Sequence, residues 1–176
     1  MAKAKQERIP PEERLGFWWE FTCRRGDYGR RLGLEDWREV VHNALLDEGE
    51  RNVLDVYFRN QNAPGQFYLG LHSGDLAETA TLANVVEPSQ AGYARQLIER
   101  STTGWPTLGL DVGDYQVEST QESFNAAATW TPVNRVFLAS TATGAVGSVI
   151  LEAALSTTRA LVSQDTLNVT LRVKAQ

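Results

Sequence analysis

The sequence predicts a mainly β protein: an antiparallel β-sandwich of jelly-roll-like type, preceded by a helical segment and an extended N-terminal arm. Three observations carry that expectation. Residues 166–174 (TLNVTLRVK) place Leu167, Val169, Leu171 and Val173 on one side and Asn168, Thr170, Arg172 and Lys174 on the other. A period of two with β-branched residues marks a strand with one buried face. Three further segments, 124–130, 133–139 and 147–155, read as short strands, and the polar runs 141–144 and 163–165 read as turns between strands. Short antiparallel strands at this spacing favour a sandwich.

The 176 residues fit one compact domain with an appendage, and 42% hydrophobic content suits a globular chain. The boundaries expected are an arm over 1–33, a helical segment over 34–62 and the sandwich over 63–176. Net charge is −5, which disfavours nucleic acid as a partner. The charge is uneven: residues 1–38 hold nine Lys/Arg against seven Asp/Glu, and the remainder eight against fifteen. Cys23 is the only cysteine, so no internal disulfide framework is expected. No apolar run reaches membrane-spanning length and the first residues lack a signal-peptide core, so assembly in a cytoplasm is expected, with no membrane partner.

Pro10 and Pro11 exclude helix from the arm's centre. Beyond them lie Phe17, Trp18, Trp19 and Phe21, then Arg24, Arg25, Arg30 and Arg31. Aromatics in so short a segment dock on something: the chain's own sandwich or a neighbouring subunit. The assembly reading takes the second, and assigns all eight residues to partner binding. The Arg25-Gly26-Asp27 tripeptide is too short to specify adhesion and reads as a solvated turn.

Leu34, Trp37, Val41, Ala44 and Leu45 recur at spacings of three and four, with acids in the first turn, which predicts a helix. A second, short helix is expected around the pairs Val53/Tyr57 and Leu54/Phe58, ending at Asn60. Residues 67–72 (FYLGLH) predict the first strand, 92–98 a second and 115–118 a short third.

No catalytic pattern rises above background. A hydrolase needs a nucleophile with a base in reach. The two histidines are His42, read as a polar-face residue, and His72, in a turn-like His72-Ser73-Gly74-Asp75 run. Asp111 and Asp114 read as an acidic turn rather than a calcium loop. No phosphate-binding glycine motif occurs. No cofactor, metal or catalytic residue is expected.

The order of signals from 50 to 174 resembles a family of small tailed-bacteriophage structural proteins, often described as tail-fibre or minor structural proteins. The likeness lies in residues 52–59 (NVLDVYFR), 67–75 (FYLGLHSGD), 92–96 (GYARQ), 124–130 (FNAAATW), the strand ending at Ala139, the Thr143-Gly144 turn, the hairpin at Leu155 and residues 164–167 (QDTL). Trp130-Thr131 stands where the family often has Trp-Gly. The resemblance implies a non-enzymatic virion component, assembled in the host cytoplasm, a homo-oligomer within a symmetric particle, with other virion proteins as partners. A tail position (fibre, tip or adaptor) is the first reading. The alternatives are head decoration and a carbohydrate- or receptor-binding module, the last expecting Trp105 or Tyr115 to line a shallow groove.

Overall fold

The computed structural model describes residues 16–111 and 113–174. Ten strands and two helices follow in the order β1 (Gly16–Arg24), α1 (Asp27–Arg31), β2 (Trp37–Leu45), α2 (Asp47–Arg59), β3 (Phe67–His72), β4 (Gln96–Ile98), β5 (Thr107–Asp111), β6 (Asp114–Glu118), β7 (Glu122–Asn125), β8 (Val133–Ala139), β9 (Val149–Arg159) and β10 (Thr166–Lys174). A 3-10 turn at Leu82–Asn84 lies in the long β3–β4 connection. The mainly β, antiparallel character expected from the alternating pattern is present.

The strands run β4-β3-β8-β9-β2-β1-β10-β6-β5, and β7 also pairs with β10. Strand β2 joins two sheets: residues 37–43 pair with β1, while Ala44 and Leu45 pair with β9. One continuous core draws on both, with Trp19, Phe21, Leu167 and Leu171 from one sheet and Leu71, Val136, Leu138 and Leu151 from the other. Burying each large apolar side chain is worth roughly 1.5–3 kcal/mol, so this core dominates the fold's stability.

Strand β1 corrects the expected arm from residue 16 onward. It pairs in register with β2 and β10, Trp19 opposite Val41 and Leu171, and Phe21 opposite Glu39 and Val169. Its sequence alternates, so Trp19, Phe21 and Cys23 point into the core and are fully buried. The part of the expected arm before Gly16 lies outside the described residues.

Strand β2 corrects the expected first helix. Trp37, Glu39 and Val41 are half-buried and alternate with exposed Arg38 and Val40. Glu39 stays on the inward side because its carboxylate accepts bonds from Ser156 and from Arg159 (2.7 Å). The second helix is found as α2, and begins at Asp47, where the sequence suggested an interruption. Strands β3, β8 and β10 lie where the sequence placed them; β7 covers only the start of the expected 124–130 strand.

Candidate interaction surface

The eight arm residues assigned to partner binding separate into distinct environments. Trp19 and Phe21 are core side chains and do not reach a partner. Arg25 is also internal: its guanidinium meets fully buried Asp165 at 2.5 Å and donates to the Ala160 and Glu35 carbonyls. This corrects the expectation for those three. Trp18 is half-buried on the opposite sheet face, beside Arg172 in the register. Arg24, Arg30 and Arg31 are exposed. Phe17 has its backbone between Asn43 and Val173, and its side chain lies outside the described residues.

The outer face around Trp18 is ionic. Glu20 pairs with Arg38 at 2.8 Å and Arg172 at 3.3 Å, and Arg172 reaches Glu118 at 2.5 Å. These half-exposed pairs fix side chains across four strands while contributing little stability each.

The inner face behaves differently at its far edge. Residues opposite each other in an antiparallel pair point to the same side. Val173 packs on the core and faces Val117; Val117 faces Leu108, and Tyr115 faces Leu110. The core-facing side of the sheet therefore continues across β6 onto β5. There the second layer stops: Leu108 is 74% exposed, Leu110 66% and Tyr115 63%. Among the described residues no second layer covers this core-like apolar face, and exposed apolar patches of this kind mark interaction sites. Strand β5 also ends the strand order, so among the described residues its outer edge has no strand neighbour. The sequence shows this patch only faintly, because Gly109 interrupts the apolar run and Pro106 precedes it.

The residues weighed for chemistry fall elsewhere. His72 is buried; its Nδ1 accepts from the Val86 N–H at 2.8 Å, and its Nε2 has no hydrogen-bond partner among the described residues. Burial holds its pKa below the usual histidine range. Asp111 takes Lys174 Nζ at 3.2 Å, and Asp114 opposes it in register across the β5–β6 turn. Among the described residues no group of three or more His, Cys, Asp or Glu is placed to hold a metal ion. The His42 side chain lies outside the described residues. Trp105 packs edge-on to Phe67 at 6.1 Å against the core, whereas Tyr115 is on the open face.

A polar cleft of about 410 Å³ separates α2 from the β8–β9 loop, lined by Glu48, Asn52, Asp55, Asn62, Ser140 and Ser148. Glu48 is engaged there with the Val149 N–H at 2.8 Å, and Asp55 with Arg59 at 2.7 Å. No helix among the described residues is long and apolar enough to cross a membrane.

Residues 36–173 match the family model described as podophage GP4 fiber I protein gp80. The match spans from the start of β2 into β10; β1 lies outside it, although it completes the core between those two strands. No curated protein matches the chain.

Proposed function

Because the chain belongs to the podophage fibre I protein family, it is a tail-fibre-type structural protein of the virion, and we propose that it works by non-enzymatic assembly, its sheet docking on a neighbouring virion protein through the β5–β6 face. The observation that carries this reading is the core-facing side of the sheet running out uncovered at Leu108, Leu110 and Tyr115. The family's description as a fiber protein supports a tail rather than a head position. A structural rather than catalytic role is supported by His72, whose ring is sunk in the sheet and bonded to backbone. Trp18, on the opposite sheet face, and exposed Arg24, Arg30 and Arg31 would supply a second, more polar set of contacts. Repetition in a symmetric particle would multiply weak contacts through avidity.

The test is incorporation. A Leu108→Asp/Leu110→Asp variant should keep its thermal transition, because both side chains are already in water, yet be lost from particles assembled in infected cells. A soluble, folded variant that enters particles at the normal level would refute the docking role of this face. Arg30→Glu/Arg31→Glu is the parallel test of the polar set.

A further inference from the structure

We infer that two copies of this chain join edge to edge through β5, antiparallel about a two-fold axis at Gly109, so that one sheet continues into the other. The pairing uses the edge of β5 rather than its apolar face, and holds whether or not that face docks on a neighbouring virion protein.

The direction of the backbone groups carries the inference. Ser119 donates its N–H to the Leu171 carbonyl at 2.9 Å, so the backbone at residue 119 addresses β10. Successive residues of a strand turn their N–H and C=O to alternate sides, so Glu118, Gln116 and Asp114 address β5. Their register partners are Thr107, Gly109 and Asp111, which therefore turn their backbone groups to β6. The Thr120 N–H follows the same alternation, going to the Gly104 carbonyl just before β5 at 2.8 Å. Leu108 and Leu110 are left facing outward, along an edge with no strand neighbour among the described residues.

Those outward groups lie symmetrically about Gly109, and this selects a second copy as the occupant. Antiparallel pairing about Gly109 sets Leu108 of each copy opposite Leu110 of the other. Each of these residues brings one donor and one acceptor, and every one is met. A register centred on Leu108 would put Leu110 opposite Pro106, which has no N–H. One centred on Leu110 would carry the pairing past Asp111 into the β5–β6 turn. The side chains agree with the central register. Leu108 and Leu110 share the core side of the sheet, so leucine meets leucine across the axis. On the other side Thr107 meets Asp111, and no like charges are opposed. The leucines, 74% and 66% exposed in one copy, come together as one apolar patch. A five-residue edge buries less than the roughly 800 Å² per partner of a standard interface. The pair is therefore weak in isolation and gains from repetition in a multi-copy particle.

Cross-linking of the purified full chain tests this. Gly109 meets the second Gly109 as a non-hydrogen-bonded pair, with Cα atoms about 4.5 Å apart, within disulfide reach. A Cβ at Gly109 meets nothing within 4 Å, and Cys23 is fully buried. Under oxidised glutathione, Gly109→Cys should run as a linked dimer on a non-reducing gel. Thr107→Cys should link at least tenfold more slowly, because its two thiols stand about 13 Å apart along the edge. Thr107→Cys/Asp111→Cys should link again, since those positions face each other. Leu110→Pro removes an outward N–H and leaves the bonds to β6 alone. It should weaken the dimer seen by sedimentation equilibrium about tenfold or more, with an unchanged thermal transition. A Gly109→Cys chain left unlinked overturns the inference, and is the outcome expected if another protein's strand, or residues 1–15 of this chain, takes the edge. Equal linking by Thr107→Cys overturns it too, as does a dimer insensitive to Leu110→Pro. If Leu110→Pro fails to fold, the thiol variants decide alone. All of these readouts use the purified chain, so their failure leaves the docking role of the β5–β6 face to the incorporation assay.

Discussion

Arg25 and Asp165 form a buried ion pair 140 residues apart in sequence, with Nη1 2.5 Å from Oδ2. Asp165 also accepts from the Gly26 N–H through Oδ1 and the Val162 N–H through Oδ2, each at 3.0 Å. Arg25 also donates through Nε to the Glu35 carbonyl and through Nη1 to the Ala160 carbonyl, and its backbone N–H goes to Asp36 at 2.7 Å. The pair thus ties the end of β1 to the turn before β10. Removing one partner strands a charge away from water, which costs about 3–5 kcal/mol. Arg25→Ala should lower the urea midpoint accordingly, while Arg24→Ala, one residue away and exposed, should leave it within error. Equal, small effects would show that the pair does not hold the fold.

Gly70 on β3 faces Phe137 on β8, and the Phe137 ring lies over the place where a Cβ would be. Arg95 caps the same ring at 5.2 Å, held in turn by Glu87 at 2.8 Å. The ring cannot move aside without breaking that cap. Gly70→Ala is therefore expected to cost about 1–3 kcal/mol by overpacking. Pairing it with Phe137→Leu should return part of the loss, which a double-mutant cycle by denaturation would read. Strict additivity would place the strain elsewhere.

What the sequence hides in this fold has physical reasons that individual residues display. The β3, β8 and β10 segments carry unbroken apolar alternation or apolar runs, and their strands lie where that pattern puts them. Strand β2 carries Glu39 on its inward side, and an acid there breaks the period of two. With it broken, the helical spacing of Trp37, Val41 and Ala44 reads more strongly. Distant partners, Ser156 and Arg159 on β9, make an inward Glu39 tolerable. Strand β1 had the alternation in plain view, in Trp19, Phe21 and Cys23 against Trp18, Glu20 and Thr22. Its double Trp and the prolines before it suggested an arm instead. The open face of β5–β6 depends on register: only the pairing of Val173 with Val117, and of Val117 with Leu108, shows that those leucines belong to the core side.

Acid should destabilise the protein through His72. An unfolded imidazole takes its proton near pH 6.5, and burial lowers that value in the folded chain, with Arg135 nearby adding to the effect. Between the two values the unfolded state binds more protons, so stability rises with pH in that interval. The contribution is complete above about pH 6.5 and is lost as pH falls toward the folded value. Thermal melts from about pH 7 down to about pH 5, above the range where most carboxylates titrate, should show a falling midpoint. The slope should flatten in His72→Gln. An unchanged slope in that variant would move the acid sensitivity to another group.

Cys23 gives a probe of β1 that needs no partner protein. Its thiol is fully buried, and burial pushes its pKa up to about 11, with Arg25 opposing the rise and Asp165 and Asp36 adding to it. Near neutral pH about one thiol in 10⁴ is then ionised, and the reagent has no path to that one while β1 stays between β2 and β10. Labelling by a thiol-specific disulfide reagent should therefore be slow in the native protein and follow the rate of unfolding as urea is added. Arg25→Ala removes the nearest positive charge, which disfavours the thiolate, yet it also loosens the end of β1. If the buried pair governs access, the variant labels faster despite the less favourable charge. Rapid labelling of the unsubstituted chain without denaturant would mean that β1 leaves the sheet readily, and the central position of Trp19 and Phe21 would have to be given up.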